Sequence, residues 1–388
     1  MKINLAVCGR FHYHNYVPYL QKKGVLGTFY FSHKIETGRK LSIPSDFYYN
    51  AWLKEYLLHF HSRKFKGVGK YTLYPFYHKI WEQLVLWHWK PADLLHIMIH
   101  GTSVRLIKRA KRDQSIVIGE AVNTHPYTMN RLLQEEYDRL GIKMKVYLTK
   151  AQEKQLEEIT LIDHLLVPSE FVRNSFIEHG FDANKITVIP YGANLTKFYK
   201  DKNVVKDDIF RVLCVSQISI RKGHIDILKA WEKLNLKHAE LIFIGALESE
   251  LEPIMKQYSK DFTYLGMVPN DKLVHYYNKA DVFVLASIEE GCSIVPLEAM
   301  ACGLPVILSD HTGSHELIVD GEDGYVFKAR NTQDLEAILS KLYENRSLLE
   351  VMGQKCLDKV AHQSNWEEYG TRLIDCYQGI LKNAKRSV

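Results

Sequence analysis

The stretch that decides the fold is DVFVLASIEEGCSIVPLEAMACGLPVILSD, residues 281–310. Residues 281–287 are a continuous apolar run of strand length, 294–303 have helix-forming composition ending in glycine, and 304–310 are a second strand-like run with a proline near its start. Strand, tight loop, helix and strand in that order make one unit of a parallel α/β sheet. The loop EEGCS brings the amides of Ser293, Ile294 and Val295 to the first turn of the helix, where unpaired N–H groups and the helix dipole favour an anion. Glu290 stands before that turn and Glu298 about a turn and a half beyond it. Val295, Leu297, Ala299 and Met300 read as core, so a carboxylate at 298 needs a hydrogen-bond donor from the protein or from a ligand hydroxyl. Glu289 reads as a solvated loop residue. Most strand–loop–helix turns bind nothing, and it is the two carboxylates that single this one out as a ligand site.

Working outward, the 388 residues suffice for two domains of ordinary size. With 46% apolar and 25% charged residues the chain has the composition of a globular protein. The opening MKINLAVCGRF reads as a first strand, not a signal peptide, and no apolar run approaches the ~20 residues needed to cross a bilayer. Six scattered cysteines without a CxxC pair fit reduced thiols in a cytoplasm. Cys292 has no evident base beside it, so packing is its expected role.

Charge is unevenly shared. Residues 1–200 hold 29 Lys and Arg against 17 Asp and Glu, while the remainder holds 22 against 28. Within the basic half, residues 47–90 alternate Lys and Arg with Trp, Tyr and Phe, which suits a membrane surface or stacking on sugars or bases, or an aromatic helical core with solvated lysines. No nucleic-acid motif accompanies the charge, so no nucleic acid is expected.

Both halves alternate strands and helices. Strand-like runs at 2–9, 27–33, 94–101, 115–122, 164–169 and 185–194 precede a polar stretch at 197–209 that reads as a linker; a second series follows at 210–216, 239–246, 262–268, 281–287, 305–310 and 324–328. Two doubly wound α/β domains facing each other across a cleft are the expected fold, with ligands beyond the carboxyl ends of the strands. Three motifs fail. GVGKYT at 67–72 lacks the P-loop's hydroxyl residue and first glycine, no GxGxxG opens either half, and HYH (12–14) and HFH (59–61) lack a carboxylate or cysteine partner for a metal.

The segment 210–327 resembles the nucleotide-sugar domain of the retaining glycosyltransferases of the large family four, which have the GT-B fold. The resemblance rests on E-x7-E, here Glu290, GCSIVPL, Glu298, with VSQISIRKGHIDILKAW (215–231), YLGMVPNDKLVHYYNKADVFVLAS (264–287) and GSHELIVDGEDGYVF (313–327) in order; VPSEFVRNSFIEHGFDANKITVIPYGANLTKF (167–198) is similar to the end of the family's first domain. It implies an acceptor-side domain at 1–200, a nucleotide-sugar domain at 208–364 and a C-terminal helix at 365–388 packed back on the first domain. It implies further that Glu290 binds donor-sugar hydroxyls and that Gly291, Cys292 and Ser293 help hold that sugar. The Ile294 and Val295 amides would take the diphosphate, and Glu298 the ribose. Lys222 would neutralise the departing diphosphate. Gly266 and Met267 fall in the base-binding loop, or else in the core. Ser216 stands where many members carry an arginine, with Arg221 a neighbouring alternative, and only Gly9 remains of the double-glycine turn after the first strand.

On the acceptor side, Gly9, His12 and Glu135 (with Glu136) are candidates, and His125 is either the family's catalytic histidine or a structural loop residue. The resemblance implies retaining, metal-independent transfer from a nucleoside-diphosphate sugar to a glycan or lipid-linked acceptor, without cofactor. The expected setting is surface-polysaccharide assembly at the cytoplasmic membrane face. A nucleotide-sugar epimerase and a non-catalytic sugar-nucleotide-binding protein are the rival readings.

Overall fold

The computed structural model describes residues 1–9, 11–33, 41–64, 70–258, 261–363 and 365–386. Part of the 47–90 stretch, including residues 67–69 of GVGKYT, lies outside them. There are two sheets, each parallel throughout. The first runs β3-β2-β1-β4-β5-β6-β7, with β1 Ile3–Val7, β2 Leu26–Phe31, β3 Tyr48–Asn50, β4 Leu94–Met98, β5 Ile116–Glu120, β6 His164–Val167 and β7 Ile186–Val188. The second runs β10-β9-β8-β11-β12-β13, with β8 Phe210–Val215, β9 Ala239–Ile244, β10 Thr263–Tyr264, β11 Val282–Leu285, β12 Val306–Ser309 and β13 Gly324–Phe327. Both sheets reverse strand order beside their first strand, between β1 and β4 and between β8 and β11. Crevices at the carboxyl ends open at these two points.

The apolar runs became strands because both faces are covered. Val282, Phe283, Val284 and Leu285 are all fully buried, as are Leu213 and Ile307 in the neighbouring strands. Burying each such side chain contributes about 1.5–3 kcal/mol. The 262–268 run gives only the two-residue β10, and the chain turns just beyond it at Gly266, φ +68°. The 197–209 stretch lies along the second domain. There the Asp201 amide donates to Asn278 Oδ1 (2.8 Å), Lys206 pairs with Asp281 (3.1 Å), and Phe198 is buried.

The aromatic stretch divides into a short edge strand, β3, and two helices, Leu53–Lys64 and Lys70–Trp87, that pack on each other. Tyr77, Trp81 and Val85 point inward, whereas Trp52, Tyr56, Phe60 and Phe76 remain exposed.

The last helix, Trp366–Arg386, carries Trp366, Tyr369, Leu373 and Tyr377 on one face. They enter the first domain's core beside Tyr16, Val17 and Leu20. Gly370 permits the approach, since a Cβ there would stand 2.6 Å from the Tyr19 ring. Across the domain interface the helix Pro126–Arg139 makes the ion pairs. Arg139 bridges Glu136 (2.6 Å) and Asp226 (2.7 Å), and Arg330 reaches Glu136 and Glu135 (both 3.0 Å).

Candidate functional site

The loop between β11 and the helix Val295–Ala301 is fixed by the turn Ile220–Lys222 beside it. Ile288 donates its amide to the Arg221 carbonyl (2.8 Å), and Gly223 follows at φ +69° with its Cα against Ala286. A Cβ at 223 would lie 1.8 Å from the Ala286 oxygen, so the glycine of RKG is dictated by close approach. That approach sets Lys222 Nζ in contact with Glu290 Oε2, with Arg221 Nη2 3.6 Å from the same oxygen. Burial, with Arg221 beside it, pushes the Lys222 ammonium well below the usual lysine range, against the pull of Glu289. A buried cation in that state gains from a second anion, which a diphosphate would supply.

Glu298 is buried in the same helix and accepts a hydrogen bond from Tyr277 Oη (3.3 Å). Burial pushes its carboxyl up to about 7. Cys292 is buried and its thiol is pushed up to about 12, so it packs and does not attack.

A cavity of 590 Å³ opens between the domains. Glu290, Cys292, Ser293, Ile294 and Glu298 line it from the second domain; Phe11, His12, Val122 and Asn123 line it from the first, together with Trp366 of the last helix. His12 is held by a buried carboxylate at the end of β5. Glu120 Oε1 takes His12 Nε2 (2.8 Å), Tyr191 Oη (3.2 Å) and Tyr369 Oη (3.4 Å), while His96 Nε2 lies 3.1 Å from Oε2. Burial opposes the Glu120 charge, but His12 and His96 outweigh it and hold the carboxyl far below the usual range. The His12 ring also stacks on Trp366 and leans on Tyr191. This network fixes one imidazole edge on Glu120 and sets the ring in the cavity wall. Nothing in the spacing of residues 12, 96, 120, 191 and 369 could have revealed it.

One expectation needs correction. Glu289 is not solvated. It is fully buried and joins the domains, accepting from the Thr124 amide (2.9 Å) and hydroxyl (2.8 Å) and pairing with Arg221 (2.7 Å). The signal was present in EEG, since two carboxylates beside two cations make one structural pair and one in the cavity wall. Of its two readings, His125 has the contacts of a structural residue and does not line the interdomain cavity. It caps the helix Pro126–Arg139, stacks on His179 (4.3 Å) and meets Phe176 edge-on, and burial pushes it down to about 4. Glu135 pairs with Arg131 and Arg330, and Glu136 is a buried interdomain partner of Arg330 and Arg139. Met267 is 79% exposed, which removes the core reading for it; Gly266 accepts the Gly245 amide (2.9 Å).

Other named residues sit around the cavity without lining it. Ser216 holds its hydroxyl toward the Gln217 carbonyl and His224 at the end of β8. Gly291 lies where the domains touch, and a Cβ there would be 1.9 Å from the Val122 oxygen. Val295 begins the helix, and Gly9 turns at φ +122° after β1 to lead into Phe11 and His12. Among the described residues no three His, Cys, Asp or Glu side chains are arranged to hold a metal ion.

Residues 196–357 match the family model described as glycosyl transferases group 1. Among curated relatives, the capsular polysaccharide biosynthesis glycosyltransferase CapM of Staphylococcus aureus is 28% identical over 226 residues, 52% of this chain and 57% of that one. The N,N'-diacetylbacillosaminyl-diphospho-undecaprenol alpha-1,3-N-acetylgalactosaminyltransferase of Campylobacter jejuni is 29% identical over 232 residues, covering 55% and 59%. The chain thus spans little more than half the length of these relatives. Sucrose-phosphate synthase from Thermosynechococcus elongatus superposes with a TM-score of 0.67 at 16% identity, over 98% of this chain and 99% of that one. HepE of Anabaena in complex with UDP and glucose gives 0.67 at 14%, over 98% and 100%. The fold is GT-B, as the sequence led us to expect.

Proposed function

We propose that the protein is a retaining glycosyltransferase that moves a sugar from a nucleoside-diphosphate donor to a hydroxyl of a glycan or lipid-linked acceptor, in surface-polysaccharide biosynthesis. The observation that carries this is the buried Lys222–Glu290 pair at the edge of an interdomain cavity into which Glu298 also faces. The donor diphosphate lies against the loop 291–295 with Lys222 beneath it, and its ribose meets Glu298. Glu290 turns from Lys222 to the sugar hydroxyls when the diphosphate takes over the cation. The bond from the anomeric carbon to the diphosphate breaks and the acceptor oxygen bonds to that carbon on the same face. The acceptor's proton passes to the departing diphosphate. Lys222 stabilises the charge that develops there, without a divalent cation.

The relatives support the acceptor class, since they include a capsular polysaccharide biosynthesis glycosyltransferase and a diphospho-undecaprenol N-acetylgalactosaminyltransferase. Among the described residues no helix is long and apolar enough to cross a membrane. We place the enzyme at the cytoplasmic membrane face through Trp52, Tyr56 and Phe60, spaced four apart and exposed, with Lys64 over the Phe60 ring. Co-sedimentation with anionic liposomes at low salt should be strong and should fall when Tyr56 and Phe60 become serine. No sedimentation at all would move the acceptor to a soluble glycan.

The deciding measurement is thermal unfolding against UDP, GDP, ADP and dTDP. A ligand at 100 times its Kd adds about 2.7 kcal/mol to stability. One nucleotide should raise the midpoint of the parent and not of Lys222→Ala. If none does so in the parent, even with the sugar attached, the donor reading fails and a non-catalytic role takes its place.

A further inference from the structure

A second cavity, of 720 Å³, lies in the first domain and is absent from the donor geometry described above. Its floor is the carboxyl ends of β1 and β4, at Cys8 and His100–Thr102. One wall is Tyr74, Pro75 and His78 of the helix Lys70–Trp87, and the other is the start of the helix Lys150–Leu161. Phe11 and His100, stacked at 4.6 Å, form the partition from the interdomain cavity, since Phe11 lines one side and His100 the other. The floor is rigid, because the buried Glu158 holds the amides of Gly101 (2.7 Å) and Ser103 (2.5 Å) from below.

Two features define what fits. The lining is mainly apolar, and its charged side chains are Lys150 and Lys154 alone. Among the described residues neither lysine has an ion-pair partner; Lys154 is half-buried and Lys150 is exposed. The two imidazoles add no charge, as burial pushes both His78 and His100 down to about 4. The helix that forms one wall also carries Leu73 and Phe76 outward on the exposed aromatic surface, so wall and surface are parts of one element.

We infer that this cavity binds the carrier part of the acceptor, an apolar chain bearing a phosphate or diphosphate, with Lys150 and Lys154 on the phosphate and Tyr74 and Pro75 against the chain. The inference rests on the proposed assignment of the first domain to the acceptor, and it gives that acceptor a class, an anionic amphiphile instead of a free glycan. The sugar end would pass the Phe11–His100 partition toward His12 and Glu290. The chain would leave beside Leu73 and Phe76. Lysine with phosphate and apolar wall with chain are complementary in the same cavity, a pairing that a neutral sugar would leave unused.

Isothermal titration with farnesyl diphosphate, inorganic pyrophosphate and farnesol tests it on the full chain. Farnesyl diphosphate should bind at least tenfold more tightly than either pyrophosphate or farnesol. Lys150→Ala/Lys154→Ala should weaken it tenfold or more, and Ala151→Trp, which fills the cavity, should abolish it. The midpoint shift given by the best nucleotide should stay unchanged in both variants, which also shows that they fold. Equal affinity for pyrophosphate would mean a free phosphate site and overturn the amphiphile. Binding that survives both variants, or that UDP or GDP displaces, would put the diphosphate in the donor site and overturn the inference. Nucleotide shifts without farnesyl diphosphate binding would sink this inference and leave the donor reading standing; the reverse would do the opposite.

Discussion

Two buried carboxylates serve the walls of the interdomain cavity, Glu290 lining it and Glu120 holding His12 from behind, and they are built in opposite ways. Glu290 is set by Arg221 and Lys222, which reach it from the turn after β8 of the same domain, with Gly223 where the two backbones touch. Glu120 is set by His12, His96, Tyr191 and Tyr369, drawn from the first strand's loop, a central strand, the domain's end and the terminal helix. The first joins two neighbouring strand–loop turns of one sheet, β8 and β11 being paired strands. The second is a tertiary assembly that exists only once the chain has closed on itself. The difference teaches where sequence patterns carry chemistry: in a loop whose geometry a strand and helix dictate, and not in a cage collected from five distant segments.

Substitutions can break this contrast. The largest effect on transfer should come from the local pair. Glu290→Ala or Lys222→Ala should cut kcat at least tenfold, about 1.4 kcal/mol of transition-state stabilisation, in an assay of sugar transfer from the donor. Near-normal turnover in either would remove its assigned role. The assembled cage should instead answer in stability. Glu120→Ala leaves two histidines and two tyrosines without their buried acceptor and should cost about 3–5 kcal/mol by denaturant unfolding, the range for breaking a buried pair. A loss under 1 kcal/mol would mean that the cage holds itself together without the carboxylate.

Glu298 gives a smaller, pH-dependent test. Its folded-state pKa, about 7, lies above the ordinary carboxylate value, so the folded state keeps a proton that the unfolded chain releases. The stability it contributes is present below about 4.5, falls as pH rises to about 7 and is level above that. Relative to Glu298→Gln, the parent should therefore lose stability over that window. Two parallel pH curves would place the carboxyl in a more polar setting than its burial implies. The smallest effect should come from His125→Asn, which keeps a capping side chain. Transfer should stay within about threefold of the parent with at most about 1 kcal/mol of stability lost; a hundredfold loss of kcat would return His125 to the reacting centre.

Much of the second domain was legible. Its strands are apolar on both faces, so each appears as a run, and Glu298 stands out because a carboxylate among core residues is costly without a partner. What stayed hidden was of one kind. Glu289 read as solvated, and the interdomain partner of Glu135 went unseen, because a charged residue in a loop or on a helix gives no hint of a partner in another domain, here Thr124 and Arg330. His125 stayed open between a reacting group and a structural residue because its neighbours in space, His179 and Phe176, are 50 residues or more away in the chain.

What the sequence determined by itself was the doubly wound order of strands and helices, and the loop at 286–298 with its two carboxylates. Apolar runs of strand length, helix composition and glycines at close approaches are local properties, fixed by backbone sterics and burial. What only the tertiary structure decided was which charges pair across the interface, which histidine enters the cavity wall, and that a second cavity with two lysines lies behind Phe11. Those depend on the relative placement of elements far apart in the chain. Placement is set by the summed packing of both cores and the terminal helix, which no window of sequence contains.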